Sequence, residues 1–305
     1  MKRTLILALL LFAILVPPTF VRAADPAPPA TQSEAKATTQ PAKTLTLEVG
    51  NKVTMKLVLI PAGKFIMGSP EGGKDKEPNE WPQHEVTISK PFYMGVYEVT
   101  QEQYEAVVGK NPSQFKGAQN PVEMVSWDEA VAFCKKLSET SGKKVRLPTE
   151  AEWEYACRAG SKTRFYFGDD DTGREDYACR VGSETRFDFH GYEKELDDFA
   201  WYSGNSGKTT HPVGQKKANA WGLYDMHGNV WEWCADWYDE YGGKYYANSP
   251  KADPTGPAEG RLRVLRGGSR SVPPRLCRSA TRVWNIPSGR DVSSGFRAVV
   301  AAGLD

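Results

Sequence analysis

Alternating polar and apolar residues predict a series of short strands in the first third of the chain. Thr44–Val49 alternates as a half-buried strand does, and Pro61–Gly63 marks a turn between two further strands. The segment 69–82 is rich in Gly, Pro, Glu and Lys, so we expect an exposed loop there. The strands predicted in this way cover residues 44–49, 55–60, 64–67, 84–88 and 92–99.

Three predicted helices begin with the same capping signature. Thr100, Ser126 and Thr149 are each followed three residues later by Gln or Glu, which is the spacing of a capping box. In such a box the hydroxyl accepts an amide hydrogen bond, and the acid or amide side chain reaches back to the cap. Apolar residues three or four apart predict one buried face on the middle helix, formed by Trp127, Ala130, Val131, Cys134 and Leu137.

An internal repeat follows the third helix. Tyr155–Phe167 recurs as Tyr177–Phe189 with an offset of 22 residues, and ten of the thirteen positions are identical. Two copies are too few for a solenoid, so we interpret the segment 155–199 as a local tandem duplication. The first copy is expected to keep its place in the fold because it continues the capped helix, and the second to form a surface insertion. A new binding loop is the alternative.

The N-terminus has the pattern of an export signal. Lys2 and Arg3 precede an apolar run of about a dozen residues, too short to span a bilayer comfortably. Small residues before Ala24 predict cleavage there, so we expect residues 1–23 to be a signal peptide and the mature domain to be periplasmic or extracellular. An uncleaved membrane anchor, which would make the chain envelope-associated, is the alternative. The segment 24–43, mostly Ala, Pro, Thr, Gln and Lys, is a predicted disordered linker.

Composition narrows the classes of partner. The formal net charge is +1 without a basic stripe, so nucleic acid is not an expected partner. No second apolar run predicts an integral membrane domain beyond the signal. The four histidines do not have zinc-binding spacing. Nine tryptophans and 28 glycines point to an irregular, loop-rich fold rather than a helix bundle.

The segment Gly222–Trp237 concentrates three tryptophans, two glycines and three acids in sixteen residues. Glycines allow sharp turns that expose carbonyl oxygens, and Asp225 and Glu232 add carboxylates at the two ends of the tight part. Oxygen ligands on a compact loop suit a hard cation such as calcium. The alternative is a Trp-rich core turn whose acids face water.

Several ordered segments together resemble the formylglycine-generating-enzyme family, also called the sulfatase-modifying-factor family. The resemblance covers about residues 45–301 and includes Arg146–Tyr155, Gly222–Trp233 and Arg266–Ser269. Its other landmarks are residues 60–68, 97–100, 122–127 and 295–297. The resemblance implies that residues 44–303 form an α+β domain of the C-type-lectin-like fold, with little regular secondary structure.

The resemblance also implies ligands for calcium in the Trp-rich loop. They are the side chains of Asp225 and Glu232 and the main-chain carbonyls of Gly228 and Val230. The family's second calcium site has no obvious side-chain ligand here, in the region of Ala200 and Trp201.

Members of the family oxidise a sulfatase cysteine to formylglycine with oxygen and a copper(I) ion held by two cysteine thiolates. The first thiolate position, three residues after Ser269, is Val272 in this chain, and the second is Cys277. Valine cannot bind copper, so the pair of soft ligands is broken. Pro273 replaces an expected histidine. Ser269 and Trp231 match residues that line the family's active site, but a structural role is equally open to them.

The five cysteines are an odd number for an exported protein, where pairing is expected. Cys157 and Cys277 are the preferred disulfide, because both belong to family segments that come together in the C-terminal half. Cys179, in the second copy of the repeat, is the expected free thiol. Cys134 and Cys234 either pair or remain buried.

Three functions follow from these observations. The first is an exported, calcium-stabilised domain that binds a protein, peptide or glycan and does not run copper oxidation. The alternative is a divergent oxidase of sulfatase maturation that uses Cys277 with copper and another ligand. The third is an interaction module tethered to the cell envelope.

Overall fold

The computed structural model describes residues 43–70, 77–169, 178–181, 184–187, 193–240 and 244–303. The predicted signal peptide, nearly all of the predicted linker and much of the second repeat copy lie outside these residues. The side chain of Cys179 does so as well.

Short strands dominate the fold. In chain order they are β1 (Thr44–Gly50), β2 (Val53–Ile60), β3 (Gly63–Met67), β4 (His84–Ile88), β5 (Phe92–Gly95), β6 (Val145–Arg146), β7 (Ala178–Val181), β8 (Glu184–Phe187), β9 (Trp231–Trp237), β10 (Arg263–Arg266), β11 (Arg282–Asn285), β12 (Ser294–Gly295) and β13 (Val299–Ala301). The five strands predicted from alternation are all present. β5 is shorter than predicted, because residues beyond Gly95 leave the sheet and Val99 bonds instead to the carbonyl of Phe296.

Two larger sheets organise these strands. The first has the order β1-β2-β5-β13-β6 and is antiparallel throughout. The second has the order β11-β10-β9-β12, in which only the β12–β9 pair is parallel. The pairs β3–β4 and β7–β8 form separate two-stranded sheets. Because β9 lies inside the second sheet, it fixes the C-terminal end of the Trp-rich loop.

The helices are α1 (Gln101–Val108), α2 (Trp127–Ser141), α3 (Glu150–Arg158), α4 (Glu193–Leu196) and α5 (Lys244–Asn248), with 3₁₀ turns at Pro78–Glu80 and Pro274–Cys277. All three predicted capping boxes are confirmed: Thr100, Ser126 and Thr149 cap α1, α2 and α3 through both reciprocal hydrogen bonds. Within the described residues, none of the helices has the length and apolarity needed to cross a membrane.

The predicted buried face of α2 is wrong at one residue, Val131. Val131 is 37% exposed, whereas Phe133 is fully buried. Phe133 stacks on Tyr104 of α1 at 5.6 Å between ring centroids and meets the edge of Phe296 at 5.2 Å. These partners come from other segments of the chain, so the burial of Phe133 could not be predicted from the helical period alone.

The first repeat copy lies inside the fold, as predicted. Tyr155 and Cys157 are buried on α3, and Phe165 belongs to a small apolar cluster with Leu196 and Tyr202. The described backbone of the second copy forms the β7–β8 hairpin.

Candidate functional site

The loop that carries the predicted calcium ligands is held in a left-handed backbone conformation. Asp225, Gly228 and Asn229 have φ angles of 56°, 88° and 57°. A Cβ at Gly228 would lie 2.1 Å from the carbonyl oxygen of Trp201, so only glycine fits there. The amide of Asn229 donates to the same carbonyl at 2.8 Å. These contacts seat the loop tightly against the segment around Trp201.

Three buried carboxylates surround this loop: Glu98, Asp225 and Glu232. Arg297, itself fully buried, donates from Nη2 to Oε1 of Glu232 at 2.8 Å and from Nε to Oε2 at 3.1 Å. The indole Nε1 of Trp153 also donates to Oε2, at 2.7 Å. Both oxygens of Glu232 therefore have donors within the protein.

The other two carboxylates are satisfied unequally. Oδ2 of Asp225 accepts the amide of Gly214 at 2.7 Å, but its buried Oδ1 has no hydrogen-bond partner among the described residues. Glu98 accepts Nδ2 of Asn229 at 2.8 Å and the amide of Val230 at 3.1 Å. Glu98 thus braces the loop, while Asp225 keeps one oxygen available.

Burial and mutual repulsion make Asp225 and Glu98 hard to ionise. Burial raises the pKa of Asp225 to about 6, and the charge of Glu232 adds to the rise while Arg297 opposes it. The pKa of Glu98 lies well above its ordinary value, first because of burial and then because of Asp225 and Glu232. The three acids outnumber the cationic group beside them, Arg297, so a bound cation would favour their ionised forms.

The two predicted carboxylate ligands lie in one cluster, but they are not equally available to a cation. Asp225 offers an unused oxygen in an electronegative pocket, which suits a hard cation. Glu232, in contrast, is engaged by Arg297 and Trp153. Among the described residues, no group of three or more His, Cys, Asp or Glu side chains has the geometry to hold a metal ion. Calcium remains a prediction.

Sequence reasoning missed Glu98 and Arg297 as members of this cluster. Both lie in segments that carry the family resemblance, residues 97–100 and 295–297. The signal available in the sequence was a charged residue between uncharged neighbours: Glu98 lies between Tyr97 and Val99, and Arg297 between Phe296 and Ala298.

The second predicted region contains a chain of serine hydroxyls. Ser269 Oγ lies 3.0 Å from Ser271 Oγ, which lies 3.1 Å from Ser293 Oγ. Ser271, in the middle of the chain, is exposed, whereas Ser269 and Ser293 at its ends are buried. The amide of Trp231 donates to the carbonyl of Ser293 at 2.7 Å, so the structure brings Trp231 and Ser269 into one neighbourhood.

Val272 and Cys277, the two positions predicted to matter for copper, belong to the same apolar cluster. The backbone of Val272 is fixed by its amide, which donates to Ser269, and by its carbonyl, which accepts from Ser203. Cys277 is fully buried, and burial raises the pKa of its thiol to about 12. A Cβ at Gly268 would lie 2.6 Å from Sγ of Cys277, so the Gly-Gly turn is needed to seat this thiol.

The expected Cys157–Cys277 disulfide is not formed in this structure. Cys134, Cys157, Cys234 and Cys277 are all buried free thiols. Cys157 and Cys277 pack in different apolar clusters, and Sγ of Cys157 lies 3.6 Å from Oγ of Ser279. The four thiols therefore act as small core side chains, which corrects the predicted pairing.

Several relatives resemble the chain over most of the folded part. The formylglycine-generating enzyme of Streptomyces coelicolor is 38% identical over 191 residues, covering 61% of this chain and 54% of the relative, about half of its length. That of Thermomonospora curvata is 30% identical over 302 residues, covering 81% and 93%. The chaperone protein LppX of Paenibacillus barcinonensis is 35% identical over 236 residues, covering 61% and 73%.

Two solved structures share the fold. Treponema denticola variable protein 1 has a TM-score of 0.69 and 31% identity, and the match covers 85% of this chain and 99% of that one. PvdO from Pseudomonas aeruginosa has a TM-score of 0.67 and 29% identity, with coverage of 85% and 98%. The predicted α+β fold of the formylglycine-generating-enzyme type is confirmed.

The family model for the sulfatase-modifying factor enzyme 1-like domain matches residues 44–302. This range agrees with the segments on which the resemblance rested, from the first strand to the last. The chain belongs to the sulfatase-modifying-factor family.

Proposed function

We propose that this chain is an exported, calcium-stabilised member of the family that binds a partner and does not carry out copper oxidation. The observation that carries the proposal is Val272, an apolar side chain packed where the family's first copper thiolate is expected. The partner classes are a protein or peptide, including a sulfatase segment, or a glycan.

The residues around Val272 do not fit a copper(I) centre. Copper(I) prefers soft sulfur ligands as thiolates, and the isopropyl group of Val272 offers no donor atom. Cys277 has a thiol whose pKa is raised by burial to about 12, so it is protonated at neutral pH. A lone protonated thiol is a poor substitute for two thiolates.

The direct test incubates the purified domain with copper(I), oxygen and a peptide containing Cys-x-Pro-x-Arg. We expect no oxygen uptake and no aldehyde on the peptide by mass spectrometry. Aldehyde formation that disappears in Cys277→Ser would instead establish the divergent oxidase.

A gain-of-ligand variant sharpens this test. Because residues 272 and 277 share one apolar cluster, Val272→Cys places a second sulfur near Cys277. We expect copper(I) binding by Val272→Cys and not by the wild type or the matched Val272→Ser control. Tight copper(I) binding by the wild type would count against the proposal.

The binding role is supported by the variety of the relatives. The family includes a relative named as a chaperone protein as well as relatives named as formylglycine-generating enzymes. A scaffold that lacks the oxidising ligands but keeps the fold is suited to recognition.

Calcium is proposed as a stabilising ion at the Trp-rich loop, where the proposed ligands are the side chains of Asp225 and Glu232 and the main-chain carbonyls of Gly228 and Val230. The support is the unpartnered Oδ1 of Asp225 and the excess of carboxyl groups over cationic groups around it. Bound calcium would supply positive charge beside these carboxyl groups and favour the folded state by mass action.

Export is proposed from the pattern of residues 1–23. Cell fractionation with antibodies against the mature domain tests it. We expect soluble periplasmic or extracellular protein whose N-terminus lies near Ala24. Full-length protein confined to membranes would favour the tethered interaction module.

A further inference from the structure

Four exposed lysines lie on the second half of α2 and in the loop that follows it. This lysine patch consists of Lys135, Lys136, Lys143 and Lys144. Among the described residues, none of the four ammonium groups has a hydrogen bond or an ion pair. The whole chain has a formal net charge of only +1, so the lysine patch is a local concentration of positive charge.

The loop brings the two pairs of lysines to the same end of α2. The amide of Gly142 donates to the carbonyl of Ser138 at 3.0 Å, and the amide of Val145 donates to Oγ of Ser138 at 2.9 Å. The residues between Gly142 and Val145 therefore turn back beside the last turn of the helix. Because a helix rises about 1.5 Å per residue, Ser138 lies only about 5 Å along the axis from Lys135. All four lysines can therefore contact one surface.

Acids of the same segment do not balance the lysine patch. Between Ala130 and Val145 the sequence contains one acidic residue, Glu139, which is exposed. Lysines can stabilise a helix by interacting with its C-terminus, but this effect is confined to the last turn. The last turn of α2 contains no basic residue, so helix stabilisation does not account for Lys135 and Lys136.

The chemistry of the lysine patch favours a layer of phosphates over a structured acidic partner. A lysine ammonium is a compact charge on a flexible stem, whereas the planar fork of arginine suits a carboxylate held in fixed geometry. The lysine patch contains no arginine, and its residues line none of the principal cavities formed by the described residues. Flexible cations without a pocket suit the mobile headgroups of a lipid bilayer.

An apolar side chain lies on the same face of α2. Val131 is 37% exposed and precedes Lys135 by four residues, so the two side chains are neighbours on the helix surface. Lysines beside an exposed apolar group are typical of helices that lie on a membrane surface.

We propose that the lysine patch binds the surface of a membrane that contains anionic lipids, through the phosphates of their headgroups. Each lysine near such a surface strengthens binding about fivefold, so the four together strengthen it roughly 600-fold. This contact would hold an exported domain at the membrane after its signal peptide has been removed. The lysine patch shares no residue with the calcium loop or with the cluster of Val272 and Cys277, so it leaves both accessible to a partner.

The test measures binding of the mature chain, residues 24–305, to phospholipid vesicles by cosedimentation. Vesicles of phosphatidylcholine alone are compared with vesicles that also contain about 30 mol% of the anionic lipid phosphatidylglycerol. We expect binding only to the anionic vesicles. Raising NaCl from about 0.1 M to about 0.5 M should abolish it, because salt screens charges that are exposed to water.

Two double variants locate the binding. Lys135→Gln with Lys136→Gln should weaken binding to the anionic vesicles about 25-fold, and Lys143→Gln with Lys144→Gln should do the same. Glutamine has nearly the helix propensity of lysine, so both double variants should keep the circular dichroism spectrum and the thermal midpoint of the wild type.

A third double variant is the matched control. Lys162→Gln with Lys251→Gln removes the same charge at two exposed lysines outside the lysine patch. It should change binding by less than about twofold, because charges beyond the screening length contribute little. The assay contains neither copper nor a sulfatase peptide, so its failure would leave the proposed partner-binding function untouched.

Three results would overturn the proposal. The first is equal binding to neutral and anionic vesicles. The second is an equal loss of binding in the control and in the two double variants of the lysine patch, because net charge alone would then explain it. The third is no binding to anionic vesicles while a fluorescein-labelled poly-glutamate peptide binds and is lost in Lys135→Gln with Lys136→Gln. The lysine patch would then be a site for an acidic protein.

Discussion

Two buried charge clusters differ in the balance between their acidic and cationic groups. In the first, Glu150 and Glu154 meet Arg158, Arg266 and Arg282 through close ion pairs. In the second, Glu98, Asp225 and Glu232 meet Arg297. The first cluster has enough cationic groups for its acids, and the second does not.

The pKa values express this difference. Burial alone would raise the pKa of Glu154, but Arg158, Arg266 and Arg282 hold it below its ordinary value. The pKa values of Asp225 and Glu98 are raised by burial and by their neighbours' negative charges. The balanced cluster is therefore complete within the chain, whereas the acidic cluster is completed only by a proton or by a bound cation.

Breaking the balanced cluster should have the largest effect on stability. Glu154→Gln removes the carboxylate partner of Arg158 and one of the two carboxylates that pair with Arg266, in a site that is fully buried. Loss of one partner from a buried pair typically costs about 3–5 kcal/mol. Urea denaturation of wild type and variant at pH 7 measures this loss, and a difference below about 1 kcal/mol would show that the network is not ionised as described.

The stability that Asp225 contributes should fall as pH rises, because its pKa is raised in the folded state. Glu154, whose pKa is lowered, should show the opposite trend. The pKa of Asp225 is about 6 in the folded state, against an ordinary value of 3.8. The folded state therefore holds a proton that the unfolded state has released. The stabilisation is complete below about pH 4, falls as pH rises towards 6 and is absent above that, a change of roughly 3 kcal/mol.

Unfolding with urea between pH 4 and 7, in the presence of a calcium chelator, tests this dependence. The stability difference between wild type and Asp225→Asn isolates the group, because the asparagine cannot titrate. We expect wild type to lose stability relative to the variant as pH rises from 4 to 6. A difference that stays constant over this range would contradict the raised pKa of Asp225.

The balanced and acidic clusters also mark the limit of what the sequence predicts. The capping boxes at Thr100, Ser126 and Thr149 were found because each hydrogen-bond pair lies within four residues. Alternation located the early strands for the same reason. In contrast, Glu98 accepts the amide of Val230, 132 residues away, and no local period announces that contact.

Residue roles in the predicted site show the same limit. The resemblance placed Asp225 and Glu232 together, but it did not reveal that Arg297 forms an ion pair with Glu232. It placed Cys157 and Cys277 near each other, but the side chains pack into different apolar clusters. The resemblance of a segment to the family predicts the path of its backbone. The contacts of each side chain also depend on residues from other segments, which the segment itself does not reveal.

Calcium should convert the acidic cluster into a balanced one. If calcium binds at Asp225, a concentration about 100 times Kd should stabilise the folded state by about 2.7 kcal/mol at neutral pH. Asp225→Asn should lose most of that gain, whereas Asp253→Asn, at an exposed aspartate bonded to Ser89, should keep it. Asp225→Asn is a better variant than Glu232→Ala, which would also leave Arg297 without its carboxylate.

Thermal unfolding with and without calcium, monitored by tryptophan fluorescence, tests whether calcium stabilises the domain through Asp225. An equal calcium response in wild type and Asp225→Asn would remove Asp225 from the ligand set. No response in the wild type would leave a proton as the only ligand of the acidic cluster and favour the Trp-rich core turn.

The smallest effect on stability is expected from breaking an exposed ion pair. Such a pair tests whether burial or charge pairing makes the buried clusters important for stability. Lys217 and Asp198 form an ion pair of 2.6 Å, but their side chains are 63% and 57% exposed. Water and salt already stabilise both charges, and ordering two flexible side chains offsets the attraction. Asp198→Asn should therefore leave the urea midpoint unchanged at physiological salt, although its pairing distance resembles that of the buried pairs. A loss comparable to that of Glu154→Gln would mean that pairing distance, and not burial, governs how strongly this fold depends on its charges.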